Sequence, residues 1–103
     1  MDRRLRRLKE LKQQGKADVI IGKAGLSEGV LAEIDRRLKR LKIVKVKMLK
    51  SALRATGMDR FELARKVAEA LGAQLLEVRG RTLILYREGV EKRQARRKEG
   101  STG

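Results

Sequence analysis

The chain has 103 residues, enough for one small domain with a modest core. It carries 28 basic against 13 acidic residues, a formal net charge of +15, and has neither Cys nor His. Disulfides, a thiol nucleophile and a cysteine zinc site are excluded, the commonest general base and metal ligand is absent, and the charge points to a polyanionic partner, nucleic acid before an anionic membrane.

Residues 1–16 hold seven basic and two acidic side chains. Leu5, Leu8 and Leu11 recur at helical spacing, Arg3, Arg6 and Arg7 lie on the other side, and Gly15 is the stop. No apolar segment succeeds this charged start as in a secretory signal, and no apolar run approaches the ~18 residues of a membrane span. The expected location is cytoplasmic, with no membrane partner.

Asp18 to Ile21 reads as a short buried strand. A second helix starts near Ser27, a good N-cap, with Val30, Ile34, Leu38 and Leu41 inward and Leu31 flanking them. Ile43 to Leu49 alternates as a half-buried strand, with Val44, Val46 and Met48 on one face and Lys45 and Lys47 on the other. Ser51 to Gly57 reads as a loop or a helical turn.

The third helix carries the clearest start. Asp59 and Glu62 have the spacing of a capping box, with Met58 and Leu63 as the hydrophobic staple. Phe61, Ala64, Val67, Ala68 and Leu71 form its inner stripe, and Gly72 ends it. Gln74 to Arg79 and Arg81 to Arg87 read as two strands joined in a tight hairpin at Gly80. Residues 89–103 are basic and poor in apolar side chains, so a flexible tail is expected behind a domain at 1–88. The order α-β-α-β-α-β-β predicts an α/β (α+β) domain with helices covering a four-stranded mixed sheet.

The junction of the first strand and second helix is unusual. Gly22, Lys23, Ala24 and Gly25 form a G-x-x-G loop between them. Helix N-termini offer unpaired N–H groups and partial positive charge, glycines let a bulky phosphodiester approach, and Lys23 adds a mobile cation. The same four-residue pattern clamps nucleotide backbones in KH domains. The competing explanation is a tight turn in which glycine serves geometry alone.

The stretches IIGKAGLSEGVLAEID, IVKVKM and LGAQLLEVRGRTLILYR, in that order, resemble the CRM domain, the chloroplast RNA splicing and ribosome maturation module that includes YhbY-like proteins. The likeness covers residues 2–88. It implies a fold akin to the C-terminal domain of translation initiation factor 3, with a KH-like glycine loop at Gly22, Lys23, Ala24 and Gly25. It also implies RNA binding in ribosome assembly or intron splicing. The Ser51 to Gly57 segment and the basic tail depart from the family pattern.

Further candidates for RNA contact are Arg36 and Arg40 on the outer face of the second helix, Lys45 and Lys47 on the second strand, and Arg79 and Arg81 beside the hairpin. Each has a plainer explanation: a solvated face with a Glu33–Arg37 pair, edge-strand lysines that prevent aggregation, and polar turn flanks. Arg3, Arg6 and Arg7 could bind RNA, or a membrane as a basic amphipathic helix does, but a stripe of only three leucines without Trp or Phe speaks against the membrane. Phe61 and Tyr86 are expected to pack rather than stack on bases, so recognition should rest on phosphate, sugar and shape. No nucleophile stands near a base, and Asp18 with Glu28 makes no convincing metal site. A monomeric, non-catalytic RNA-binding module without cofactors is the expected function, acting on ribosomal or structured precursor RNA, including pre-ribosomal particles. A basic structural component of the ribosome and a DNA-compacting protein are the alternatives.

Overall fold

The computed structural model describes residues 2–88. The expectation made for 89–103 lies outside them. In chain order the elements are α1 (Arg3–Gln14), β1 (Val19–Ile21), α2 (Glu28–Leu41), β2 (Ile43–Met48), α3 (Lys50–Thr56), α4 (Arg60–Leu71), β3 (Gln74–Arg79) and β4 (Thr82–Tyr86). The strands form one four-stranded mixed sheet in the order β1-β2-β4-β3. The fold is the expected α+β type, with one addition. The segment read as a loop or a helical turn is a two-turn helix, α3. Its N-cap, Leu49, has no side-chain hydrogen bond, and only Ala52 in it is buried. It therefore has neither the start signal nor the apolar period of a longer helix.

β1 and β2 run parallel, with Val19 opposite Val46 and Ile21 opposite Met48. Parallel neighbours need a crossover, and α2 supplies it. β4 is antiparallel to both β2 and β3, and Lys47 lies opposite Thr82. So β1 and β2 end, and β4 begins, at the same end of the sheet. Two backbone bonds tie that end together. The Leu49 N–H donates to the Ile21 carbonyl at 2.9 Å, and the Met48 N–H donates to the Arg81 carbonyl at 2.7 Å.

One face of the sheet carries the main core. Val19, Ile21, Val44, Val46, Met48, Leu83 and Leu85 meet Ile34 and Leu38 of α2, Ala52 of α3, and Leu63, Ala64, Val67 and Ala68 of α4. The capping box at Asp59 and Glu62 is complete, with both reciprocal bonds made. Ser27 caps α2 by accepting the Val30 N–H. Arg87, just past β4, pins the layers together. Its guanidinium donates to the Leu71 carbonyl at 2.7 Å and pairs with the Asp35 carboxylate at 2.8 Å. Burial pushes the Asp35 carboxyl up, but the bond and charge of Arg87 outweigh it and hold that carboxyl below its ordinary range.

α1 covers the other face in an unexpected way. Its leucine stripe does not face the sheet, since Leu8 and Leu11 are 39% and 59% exposed. The covered side instead carries Leu5, Lys9, Lys12 and Gln13. The sheet face beneath explains the difference. Ile43 and Ile84 give it a small apolar part, but its remaining partners are polar. The Lys45 ammonium donates to the Gln13 and Gly15 carbonyls at 2.6 and 2.8 Å, answering carbonyls that the end of a helix leaves open. Asp18 accepts the Lys45 backbone N–H and pairs with Lys12 at 3.0 Å. Lys9 reaches Glu77 at 2.8 Å. Glu77 faces α1 because the register of β3 against β4 shifts between Leu75 and Glu77, an extra residue that reverses the alternation beyond it. Leu75 and Val78 consequently both pack against the main core.

The joint between α2 and β2 is open to a stability test. The two are connected by Lys42 alone, at φ +70°, a conformation that costs a side-chain-bearing residue about 1 kcal/mol. Lys42→Gly should raise stability by about 0.5–1 kcal/mol in urea unfolding. The Lys9–Glu77 bridge makes the seating of α1 depend on pH. Lys9 donates to Glu77 and holds its carboxyl below the ordinary 4.5, against the opposing effect of burial, while the Lys9 ammonium is raised above 10.5 chiefly by Glu77. The bridge therefore contributes fully between those two ordinary values. It fades as pH falls through the lowered carboxyl value, and again as pH rises through the raised ammonium value. Hydrogen exchange should show α1 amides losing protection on acidification below about 4.5. Glu77→Gln should remove that part of the pH dependence.

Candidate nucleic-acid interface

The chain leaves β1 at Gly22 and turns before α2. The Gly25 N–H donates to the Gly22 carbonyl at 2.9 Å, closing a four-residue turn with Lys23 and Ala24 exposed at its tip. Gly25 is buried at φ +69°, and a Cβ there would lie 3.2 Å from the Thr56 Cγ2 and 4.0 Å from the Ala55 Cβ. The C-terminal turn of α3 is thus packed against this corner. Gly22 is different. It has no positive φ, and a Cβ would meet only Leu49 Cδ1 at an ordinary 3.8 Å. Geometry requires glycine at 25 and leaves 22 free to be larger.

The turn's amides are not all available to a ligand. The Gly25 N–H is occupied by Gly22, and at the head of α2 the Val30 N–H is taken by Ser27. Glu28 stands in that first turn as well. The Lys23 ammonium, in no ion pair among the described residues, is the cation nearest in sequence to the turn.

The other sequence candidates divide. Lys45 points under α1, where carbonyls hold it. Its expected phosphate contact gives way to a structural bond, because the β2 face it occupies is covered. β2 is also an interior strand, so its lysines are not edge guards. Lys47 stays exposed, opposite Ile20, which is 55% exposed. Arg79 is pulled toward α1 and pairs with Glu77 at 2.6 Å. Arg36 and Arg37 both pair with Glu33, and the bonds of Arg37 and then Arg36 keep that carboxyl ionised below its ordinary range. Arg40 shares a shallow depression with these three. By helix rise, Arg36 stands about 12 Å along α2 from Glu28, so this patch is separate from the turn. Arg81 sits at the same sheet end as the turn, bound through its carbonyl to Met48.

Phe61 reverses its expected placement. It lies in the first turn of α4 and is 44% exposed, with the Arg60 guanidinium 4.7 Å from its ring centroid. Leu63, Ala64 and Val67 hold the buried face, and at 3.6 residues per turn Phe61 stands about 60° round from Ala64, at the margin of that face. Tyr86 is half-buried and its hydroxyl donates to Glu88, which with burial pushes its pKa up to about 12.

Among the described residues, no group of three or more His, Cys, Asp or Glu residues is placed to hold a metal. No helix there is long and apolar enough to cross a membrane. Asp18 is engaged by Lys45 and Lys12, and Ser27 by its cap.

The two glycines should respond differently to alanine. Gly25→Ala should cost about 1–2 kcal/mol, from left-handed backbone strain and the Thr56 contact. Gly22→Ala should stay within about 0.5 kcal/mol of the parent. Thermal melts of the two variants check the contrast.

The arrangement has known counterparts. Residues 2–87 match the family model of the CRS1 / YhbY (CRM) domain. A protein of Methanocaldococcus jannaschii named a probable RNA-binding protein is 42% identical over 69 residues, which are 67% of this chain and 49% of that protein. The chain thus spans about half the length of that curated relative. The solution structure of a hypothetical protein from Staphylococcus aureus, described as a candidate RNA binding protein, has a TM-score of 0.65 and 31% identity, covering 81% of this chain and 82% of that one. With the match running from the first turn of α1 to the end of β4, the chain belongs to the CRS1 / YhbY (CRM) domain family.

Proposed function

We propose that the domain is a non-catalytic RNA-binding module that grips the sugar-phosphate backbone at the Gly22–Gly25 turn, in the maturation of ribosomal or other structured precursor RNA. One observation carries the reading. Of the two turn glycines, Gly25 answers a backbone demand while Gly22 answers none. A glycine the fold does not require, beside an exposed Lys23, suits close approach by a polymer chain. The net charge of +15 supplies the long-range attraction. The family and the relative named as RNA-binding support the partner class. Lys23 neutralises a phosphate, the remaining turn amides donate to its oxygens, and Arg36 and Arg40 extend the footprint along α2. The resemblance to a KH-type clamp and to the C-terminal domain of translation initiation factor 3 belongs to this proposal.

The test is a double substitution at the tip. Lys23→Asp with Ala24→Asp should lower RNA affinity at least about 10-fold by reversing the charge where phosphate sits. Both side chains are exposed, so the melting temperature should barely move. The parent's affinity should fall log-linearly with salt. Unchanged RNA binding by the double variant would refute the turn as the grip. Equal affinity for DNA of the same sequence would favour a general polyanion binder, because the 2′-hydroxyl separates the two polymers.

A further inference from the structure

A shallow groove lies beside the turn, lined by Lys50, Leu53, Asp59, Arg60, Phe61 and Arg81. Its lining includes one aromatic ring, one aliphatic side chain and three cations. Among the described residues, Lys50, Arg60 and Arg81 are in no ion pair. The acid among the lining residues is occupied, since Asp59 accepts the Glu62 N–H as the cap of α4. Arg60 already stacks on the Phe61 ring, which shows that the ring accepts a flat, electron-poor group. The groove also adjoins the turn. Leu49 bonds to Ile21, just before Gly22, and its neighbour Met48 bonds to Arg81 in the groove wall.

We infer that the groove holds an unpaired nucleobase of the bound RNA, stacked on Phe61, with Lys50 and Arg81 on the flanking phosphates. The inference rests on the RNA-binding reading above and names the form of RNA: a strand with at least one base free of pairing. Stacking needs an exposed π-face, and phosphate neutralisation needs cations beside it. The groove holds the cations, and the base takes the ring face that the Arg60 guanidinium now covers, displacing it toward a phosphate. A purely apolar protein segment would leave the three cations unanswered. A duplex keeps its bases stacked inside and has none to offer Phe61.

The test compares two RNAs, a hairpin with an unpaired loop and a blunt duplex of the same stem. Phe61→Leu keeps an apolar side chain but removes the ring. It should bind the hairpin about 10-fold more weakly, within the range for loss of one stacked base, and the duplex within about twofold of the parent. Phe61→Tyr should restore hairpin binding. Phe61 is outside the buried core, and melting curves establish that both variants stay folded. Equal losses on both RNAs, or no loss on either, overturn the inference, the latter leaving the groove to a protein partner. If Lys23→Asp with Ala24→Asp weakens hairpin binding while Phe61→Leu leaves it within about twofold of the parent, the stacking proposal fails and the turn stands. If the parent binds neither RNA, both fail.

Discussion

The parallel pairing of β1 with β2 is the constraint on which the rest depends. Strands that run the same way must end at the same edge. The glycine turn after β1 and the helix α3 after β2 are therefore delivered to one place. β4 runs against β2, so the hairpin that opens it arrives there too. Binding sites gather outside the carboxyl ends of parallel strands for the same reason in open α/β sheets. Here the bonds from Leu49 to Ile21 and from Met48 to Arg81 fix three connections that are distant in sequence into one rigid corner.

Charge is distributed by role across the described residues. Lys9, Lys12, Lys45, Arg79 and Arg87 are each bonded to a carboxylate or a carbonyl. They hold α1 and the end of β4 in place, and their neutralisation lets a strongly basic chain stay folded. Lys50, Arg60 and Arg81, which share one groove, have no such partner, nor has Lys23 at the tip of the turn. The cations that seat α1 and the end of β4 are thus paired, while those at the corner keep their charge for the proposed contact with RNA.

Much of the fold is legible in the sequence, and the departures have physical causes. The capping box at Asp59, the cap at Ser27, the alternation in β2 and the hairpin at Gly80 are local signals, and each forms where the sequence places it. The G-x-x-G spacing announces the turn but not why the two glycines differ, because Thr56 of α3 is what presses on Gly25. α3 itself is too short to show a period. The leucines of α1 suggest an apolar seat, yet helix orientation is decided by Lys45, Asp18 and Glu77, which come from distant parts of the chain. Phe61 departs from its expected place because it stands at the margin of the stripe, where Leu63 and Ala64 already fill the contact with the core.

The bulge in β3 limits how this chain can change in length. Glu77 meets Lys9, and Val78 meets the core, only because one supernumerary residue reverses the strand's parity. Were Leu76 drawn into a regular ladder opposite Ile84, Glu77 would turn to the core face beside Leu83 and Val78 would turn away from the core. Loss of Leu76 itself would leave Glu77 opposite Ile84 and Val78 opposite Leu83 in an unbroken ladder, so the bulge is the one position of the strand that can shorten without reversing a face.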